Sequence, residues 1–203
     1  MKKILFILLL TLVLTVNITS VSAGEGEATP TYTTSADGDL IRTNEAYRTN
    51  QYQSELGLVG PADLYFDKND DLYIVDSQYI DPVDDTLKGR IAIYDIETQA
   101  ITRQLQHPDF VSPSGVFVSD DLDIYVADPG ASTIFIFDSD FNLLNAYGKP
   151  DSLAYDLDIF KPTKVAADKS GNIFALVEGG FGGIVQLSEE GKFIGYFSSN
   201  SVV

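Results

Sequence analysis

The sequence predicts an all-β fold made of repeated four-stranded antiparallel units. Short runs rich in Val, Ile, Tyr and Phe alternate with clusters of Asp, Asn, Gly and Ser, which is the pattern of short strands joined by tight turns. After the N-terminal segment, no stretch has a sustained helical period. A recurring unit is the third observation, because repeats spaced by about 20 to 50 residues are typical of arrays and propellers.

Three copies of the unit align from a proline, at Pro61, Pro113 and Pro162, which lie 52 and then 49 residues apart. In each copy two apolar runs flank a polar turn. An aromatic residue of the second run lies twelve positions after the proline: Tyr73, Tyr125 and Phe174. Each copy continues with a third and a fourth run: Arg90–Asp95 and Ala100–Leu105, Thr133–Asp138 and Leu143–Tyr147, and Gly183–Ser188 and Phe193–Phe197. Four strands at this spacing form the blade of a β-propeller, so about three blades in an open arc are expected.

The N-terminal segment is predicted to be a secretory signal peptide. Lys2 and Lys3 form a positive start, Ile4–Val16 is apolar, and Val21-Ser-Ala23 is a small-residue cleavage site. The alternative is an uncleaved anchor, but crossing a bilayer takes about 20 apolar residues, and Asn17 ends this run sooner. We therefore expect cleavage after Ala23, no membrane insertion of the mature chain, and a secreted protein at the bacterial cell exterior or in the periplasm.

Three regions are expected along the chain. Residues 1–23 are the signal peptide, and residues 24–58 are an N-terminal region with room for one hairpin, its turn at Ala36–Asp39. Residues 59–203 hold the three repeats, at about 59–106, 107–150 and 151–203.

Composition excludes several kinds of chemistry. Without cysteine there is no disulfide framework, thiolate zinc site or cysteine nucleophile. The single histidine, His107, leaves no pair for a histidine metal site and is expected to be a loop or surface residue. A formal net charge of −17, from 13 basic and 30 acidic residues, argues against nucleic-acid binding, because such a surface must be basic.

The clearest copy of the repeat, Pro113 to Gly148, contains Ile-Tyr-Val-Ala-Asp, then Ile-Phe-Ile-Phe-Asp, then a final Tyr-Gly. This pattern resembles the NHL repeat, and the resemblance extends from Gly60 to Ser199. The chain also resembles secreted bacterial NHL-repeat proteins that pair a signal peptide with a short tyrosine-bearing region, here Tyr32 and Tyr47. The resemblance implies a β-propeller and leaves the substrate open, because propellers host many functions.

The number of repeats is small for a propeller. A closed propeller has about four to eight blades. Three repeats therefore predict an incomplete propeller, either the front fragment of a six-bladed protein or a chain that completes a ring by self-association through its open blade faces.

Two loops depart from the repeat and are predicted to form a ligand-binding surface, because the loops at one end of a propeller usually carry its binding face. They are the insertion Gln78–Leu87 and the glycine-rich run Glu178–Gly183. The candidate residues are Tyr79, Asp81, Asp84, Asp85, Phe110 and Phe181. The three aromatic residues among them lie in loops, where their rings can stack on a sugar or a peptide.

The three aspartates of the insertion, Asp81, Asp84 and Asp85, are also calcium candidates, because calcium prefers closely spaced carboxylates. Turn chemistry is the favoured interpretation, since Asp side chains bond to nearby backbone amides. No other cofactor is expected. Asp76 and Asp128 end the second run at equivalent positions and are predicted to accept backbone N–H bonds.

The function predicted from these observations is a secreted scaffold or binding module without catalysis. Its expected partner is an extracellular protein, peptide or glycan. No catalytic residues can be proposed, because a general base needs a partner in a geometry that spacing does not reveal. The resemblance leaves one alternative, a lactonase-like or lyase-like six-bladed propeller enzyme with part of its site on blades beyond these three.

Overall fold

The computed structural model describes residues 32–42, 56–83, 85–180 and 183–197. They belong to two units, Met1–Tyr52 and Gln53–Val203. Among the described residues no helix is long and apolar enough to cross a membrane. The signal-peptide prediction concerns residues outside the described ranges.

The described part of the first unit is a small hairpin. Strand β1 (Tyr32–Thr34) pairs antiparallel with β2 (Leu40–Arg42). The Ser35 hydroxyl accepts hydrogen bonds from the backbone N–H groups of Asp37 and Asp39, which closes the turn between the strands. All residues of both strands are exposed.

The second unit contains three four-stranded antiparallel sheets, which we call blades 1 to 3. Blade 1 consists of β3 (Pro61–Phe66), β4 (Leu72–Asp76), β5 (Arg90–Asp95) and β6 (Ala100–Leu105). Blade 2 consists of β7 (Gly115–Val118), β8 (Ile124–Asp128), β9 (Thr133–Phe137) and β10 (Leu143–Tyr147). Blade 3 consists of β11 (Pro162–Ala167), β12 (Ile173–Val177), β13 (Ile184–Leu187) and β14 (Phe193–Phe197). Each strand pairs with the next along the chain, so the prediction of propeller-type blades is confirmed.

Blade 2 is buried on both faces because side chains alternate along its strands. Toward blade 1 it presents Ile124, Val126, Phe135 and Phe137. Toward blade 3 it presents Tyr125, Ala127, Ile134 and Ile136. Two hydrophobic cores result, one on each side of blade 2, and this blade-to-blade packing is the main apolar burial of the unit.

The first strands of the three blades lie next to one another. Here Gly115 is required by a close approach, because a Cβ atom at this position would lie 2.6 Å from the carbonyl oxygen of Thr163. Across this glycine, Lys164 Nζ lies 2.7 Å from Asp63 Oδ1, and Asp63 Oδ2 accepts the N–H of Val116 at 3.1 Å. The first strands of blades 1 and 3 are thereby tied together across blade 2.

Polar contacts also recur between the outer edges of neighbouring blades. Arg103 on β6 donates to the carbonyl of Ser139 in the last turn of blade 2 at 2.6 Å. Tyr147 on β10 donates to the carbonyl of Glu189 in the last turn of blade 3 at 2.7 Å. Ser139 and Glu189 occupy the same place in their turns, so the two inter-blade interfaces are built alike.

Candidate binding site on the loop face

The antiparallel strands divide the connections between two ends of the blades. We call one end the loop face; of the described residues it carries 77–83, 85–89, 106–114, 129–132, 148–161, 178–180 and 183. The opposite end is the turn face, with residues 67–71, 96–99, 119–123, 138–142, 168–172 and 188–192. The insertion in blade 1 lies on the loop face.

The insertion is a hydrogen-bonded loop. Ile80 and Leu87 form an antiparallel bridge at its base. Above the bridge, the N–H of Asp81 donates to the carbonyl of Thr86 at 2.9 Å, and the N–H of Asp85 donates to the carbonyl of Asp81 at 2.9 Å. These bonds give the loop a defined backbone.

Arg90 anchors the start of the insertion to the rest of blade 1. Its guanidinium lies 3.9 Å from the centre of the Tyr79 ring. It also donates to Asp76 Oδ2 at 3.3 Å, to Gln104 Oε1 at 2.9 Å and to the carbonyl of Gly57 at 2.8 Å. Arg90 is only 7% exposed, and a planar fork of donors is well suited to such a buried junction.

Asp76 and Asp128 have the predicted role of accepting backbone N–H bonds, and both are fully buried. Each holds the chain that enters its blade against the end of the second strand. Asp76 accepts from Val59 at 3.0 Å and Gly60 at 2.7 Å, and Asp128 accepts from Val111 at 2.8 Å, Ser112 at 3.0 Å and Ala131 at 2.9 Å.

The third hydrogen bond that each of these two carboxylates accepts differs between the blades because blade 1 has the insertion. In blade 2 a short loop follows Asp128, and the N–H of Ala131 in that loop bonds back to Asp128. In blade 1 the insertion occupies this place, and Arg90 bonds to Asp76 instead. The insertion is thus accommodated by a specific compensating residue.

A pocket of about 260 Å³ lies beside the anchored loop. The insertion and the link between blades 1 and 2 form its lining: Tyr79, Asp81, Lys88, Gly89, Gln106, His107 and Pro108. The N–H groups of Lys88 and Gly89 both donate to the carbonyl of Tyr79, at 3.1 and 3.3 Å, which fixes the two sides of the loop relative to each other. The pocket combines an aromatic ring, an amide and charges of both signs.

His107 is a half-buried member of this lining. Its ring lies 5.5 to 5.8 Å from the rings of Phe110, Phe135 and Phe137. Its Nδ1 atom accepts the N–H of Asp109 at 3.3 Å. In the neutral imidazole an accepting Nδ1 places the proton on Nε2, which makes that nitrogen a hydrogen-bond donor.

The structure corrects the predicted position of Phe110. It was expected to lie on the loop surface, but it is 2% exposed and belongs to the core between blades 1 and 2. The reason is packing: its ring meets those of Phe135 and Phe137 edge to face at 5.4 and 5.8 Å, and such contacts bury a large apolar area. Its ring is therefore not available for stacking on a ligand.

The other five predicted residues are placed differently. Tyr79 and Asp81 both line the pocket. Asp85 lies in the insertion with φ of 57° and is exposed. Asp84 and Phe181 lie outside the described residues.

One of the calcium candidates in the insertion, Asp81, uses a carboxylate oxygen for a hydrogen bond within the loop. Asp81 Oδ1 accepts the N–H of Val83 at 2.9 Å, which is the turn chemistry expected of aspartate. Within the described ranges, no group of three or more acidic or histidine side chains could hold a metal ion. Asp84, one of the three candidates, is not among those residues.

The turn face has a different electrostatic character. Burial, together with the charge of neighbouring Asp67, raises the pKa of Asp71 above its ordinary value of 3.8. Burial and the same two carboxylates raise the pKa of Tyr73 to about 12. The negative charge in this turn is therefore incompletely compensated.

The equivalent turn of blade 3 is balanced by an amide. There Asn172 takes the place of Asp71, and its side chain donates to Asp168 Oδ2 at 2.8 Å. This hydrogen bond and those from the backbone lower the pKa of Asp168. The last turn of blade 2 has the same pairing, with Asn142 donating to Asp138 at 2.9 Å.

No family model and no curated protein matches the chain. Among solved structures, Kuenenia stuttgartiensis hydrazine synthase is similar at 15% identity over 70% of this chain and 37% of that chain, with a TM-score of 0.51. Virginiamycin B lyase from Staphylococcus aureus is similar at 12% identity over 82% of this chain and 47% of that chain (TM-score 0.48). The Myceliophteria thermophila Cps50 (Swd1) beta-propeller domain is similar at 13% identity over 64% and 36% (TM-score 0.46).

The likeness is one of fold. At these identities it carries no activity, ligand or partner over to this chain. The chain also spans less than half the length of each of these three proteins.

Several residues of the pocket were not predicted from the sequence. Gln106 and Pro108 belong to the link between blades 1 and 2 and line the pocket together with Tyr79, whereas Lys88 follows the insertion and its N–H bonds to the carbonyl of Tyr79. Arg90 did carry a signal, since it is a charged residue at the start of an apolar run where the equivalent residue of blade 2 is Thr133. A charged side chain at the start of a buried strand is costly unless it has a hydrogen-bonding partner.

Proposed function

We propose that the chain is an exported, non-catalytic recognition module of the NHL-repeat type, which binds an extracellular protein, peptide or glycan on its loop face. The observation that carries the proposal is the anchoring of the insertion. Arg90 joins Tyr79 to two strands of blade 1, through Asp76 and Gln104, and to the chain that enters the blade, through Gly57. Sites built on rigid supports hold their contact groups more accurately than sites on free loops.

The pocket supports recognition of one unit of a polymer. Its volume of about 260 Å³ is slightly below the range of about 300 to 1,000 Å³ that is usual for pockets of drug-sized molecules. A space of this size takes one sugar ring or one amino-acid side chain. The lining offers donors in Lys88 and His107, an acceptor in Asp81 and both in Gln106.

Binding of the full chain to immobilised glycans and peptides tests the proposal. We expect one of these two classes to bind. Lys88→Ala, in the pocket, is expected to weaken that binding at least about tenfold, because hydrogen bonds to charged groups contribute about 1.5 to 3 kcal/mol and about 1.4 kcal/mol is a factor of ten. Lys192→Ala is the matched control, since it removes the same charge from an exposed turn on the turn face and is expected to leave binding unchanged.

Two results would contradict the proposal. One is that neither class binds above background. The other is that Lys88→Ala and Lys192→Ala weaken binding equally, which would indicate a general charge effect rather than a site on the loop face.

A further inference from the structure

We propose that the turn face carries a second binding site, a cleft between blades 2 and 3 that takes the ammonium or guanidinium group of an organic cation. We call it the turn-face cleft. It lies at the opposite end of the blades from the pocket beside the insertion, and the proposal does not depend on the function proposed for that pocket.

The turn-face cleft has a volume of about 720 Å³, within the range of about 300 to 1,000 Å³ that is usual for ligand pockets. Residues of turn 119–123 in blade 2 and of turn 168–172 in blade 3 line its two sides. The rings of Tyr65, Phe117 and Tyr125 form an aromatic wall. Phe117 meets the other two rings edge to face, at 5.1 and 5.8 Å. The faces of such rings attract cations.

Acidic side chains outnumber basic ones in this cleft by five to one. Two of the five carboxylates are engaged within the chain. Asp120 Oδ2 lies 3.4 Å from Lys169 Nζ, and Asp168 Oδ2 accepts a side-chain N–H of Asn172 at 2.8 Å. The other three form no ion pair or side-chain hydrogen bond with any residue that the structure describes; they are Asp121, Asp123 and Glu189.

Hydrogen bonds hold the backbone that carries these three carboxylates. Ser119 Oγ accepts the N–H groups of Asp121 and Asp123 at 3.3 and 3.0 Å. On the other side of the cleft, the Tyr147 hydroxyl donates to the carbonyl of Glu189 at 2.7 Å. The negative charges are therefore presented from fixed supports, which favours binding over a loose arrangement.

The hydroxyl of Tyr125 is an unused polar group in the cleft. The residue is 8% exposed, and its hydroxyl makes no hydrogen bond with any described residue. No side-chain oxygen sealed inside the described part of the chain lacks a partner, so this hydroxyl opens on the cleft that its residue lines. A buried hydroxyl without a partner costs free energy, and an N–H donor of a ligand would satisfy it.

The first inter-blade interface has its own cation at the corresponding place. There Tyr73 occupies the position that Tyr125 has in the second interface, twelve residues after its proline. Burial and the charges of Asp67 and Asp71 raise the pKa of Tyr73, and the guanidinium of Arg103 acts in the opposite direction. In this interface the chain itself supplies a positive group to the acidic turn.

Blade 2 has an asparagine where blade 1 has this arginine. In each blade, the tyrosine of the second strand pairs with an isoleucine of the third strand, and that isoleucine pairs with Arg103 in blade 1 and with Asn145 in blade 2. The second interface therefore keeps the buried tyrosine and the acidic turn without the cation. A ligand can supply the missing positive group.

The missing cation has an electrostatic effect on two residues of the cleft. Burial, with the charges of Asp123 and Glu189, raises the pKa of Tyr125. Burial and the charges of Asp121 and Asp138 raise the pKa of Asp123 itself. A positively charged group bound between these side chains is attracted to all the carboxylates that act on them.

The arrangement suits an organic cation better than a metal ion. A calcium ion takes six to eight oxygen ligands around one point, and within the described ranges no group of three or more acidic or histidine side chains could hold a metal ion. The aromatic wall and the volume fit an ammonium or guanidinium group on an extended ligand. A lysine or arginine side chain of a peptide and a free polyamine share this chemistry.

Isothermal titration calorimetry of the full chain with two probes tests the proposal. One probe is a blocked glycine peptide with two lysines, and the other is spermidine. At least one is expected to bind, and the tighter of the two identifies the source of the cation. The same peptide with both lysines acetylated is expected not to bind, because acetylation removes the charge and keeps the chain.

The charge of the cleft is tested with a matched pair of variants. Asp123→Asn is expected to weaken binding about tenfold, because a hydrogen bond between charged groups is lost. Asp140→Asn is the control, since it removes the same charge from an exposed turn of blade 2 outside the cleft lining, and it is expected to leave binding unchanged.

The missing cation is tested by supplying one. Asn145→Arg is expected to weaken binding about tenfold, because its guanidinium would neutralise the cleft as a ligand does. Asn145→Gln changes the same side chain without adding a charge and is expected to bind as the unchanged chain does. Tyr125→Phe is expected to weaken binding about threefold, whereas Tyr73→Phe, outside the cleft, is expected to have no effect.

The proposal is overturned by any of three results. Neither probe binds, the acetylated peptide binds as tightly as the charged one, or Asp123→Asn and Asp140→Asn weaken binding equally while both retain the thermal unfolding midpoint of the unchanged chain. Lys88→Ala, on the loop face, is expected to leave cation binding unchanged, so failure here is distinguishable from failure of the loop-face proposal.

Discussion

Asp76 and Asp128 have the same position and burial but different electrostatic compensation. Asp128 is satisfied by three backbone N–H groups. Asp76 has two such groups and the guanidinium of Arg90. A buried carboxylate needs partners for its lone pairs, so the loss of one donor to the insertion explains why a buried arginine is present in blade 1.

Asp71 lies in a turn where a carboxylate occupies a position better suited to an amide. Replacing it by asparagine would recreate the pair that Asn172 forms with Asp168. We expect Asp71→Asn to raise the free energy of unfolding at neutral pH by about 0.5 to 1 kcal/mol, the usual net contribution of one hydrogen bond. Urea unfolding measures the change.

The pH dependence of this gain follows from the raised pKa of Asp71. A carboxyl group with a raised pKa in the folded state destabilises the protein when it is ionised. This loss of unfolding free energy is present at pH values above the folded-state pKa and disappears below the ordinary value of 3.8. The part of the gain that comes from removing the ionised Asp71 carboxylate should therefore be lost at low pH. Asp151→Asn removes an equal charge from an exposed loop; an equal gain in that control would refute the local explanation.

At the scale of strands, the sequence predicts what is local. Alternation and turn residues define β7 and β8 because both are set by neighbours in the chain. The position of Phe110 is not local, because this residue of the link between blades 1 and 2 packs on the rings of Phe135 and Phe137 in β9. For this reason the sequence predicts an exposed aromatic side chain in the loop, although packing buries it.

Gly115 shows how two strands depend on the absence of a side chain. Its backbone φ is not in the positive range, so alanine fits the local conformation, but its Cβ would lie 2.9 Å from the Cα of Lys164 in β11. We expect Gly115→Ala to destabilise the protein by about 1 to 3 kcal/mol, the usual cost of overpacking. Thermal or urea unfolding measures it.

Gly195 provides the control for this substitution. It also lies in a strand, β14, and a Cβ atom there would meet nothing within 4 Å. Gly195→Ala is expected to change stability by less than about 0.5 kcal/mol. Similar losses for both variants would mean that general strand effects, and not the approach of β7 to β11, account for the result.

At the scale of the whole molecule, the repeat made the blades predictable, whereas the candidate site was predictable only in part. Tyr79 and Asp81 were found because the insertion interrupts a regular pattern. The anchor was missed because it joins Arg90 to Gly57, 33 positions away. Such contacts arise from how the strands and links fold together, and a single sequence does not encode them in any local pattern.

The last prediction concerns export, which would be a property of the whole chain. A signal peptidase site needs small residues one and three positions before the cut, which here are Ala23 and Val21. Expression in a bacterial host should yield an exported chain that starts at Gly24 by intact mass.

Ala23→Lys is expected to abolish cleavage and keep the chain at the membrane, because the apolar run Ile4–Val16 then remains attached. Ser22→Lys, between the two small residues, should still be cleaved; an exported chain with an intact N-terminus, or equal cleavage of both variants, would contradict the signal-peptide interpretation.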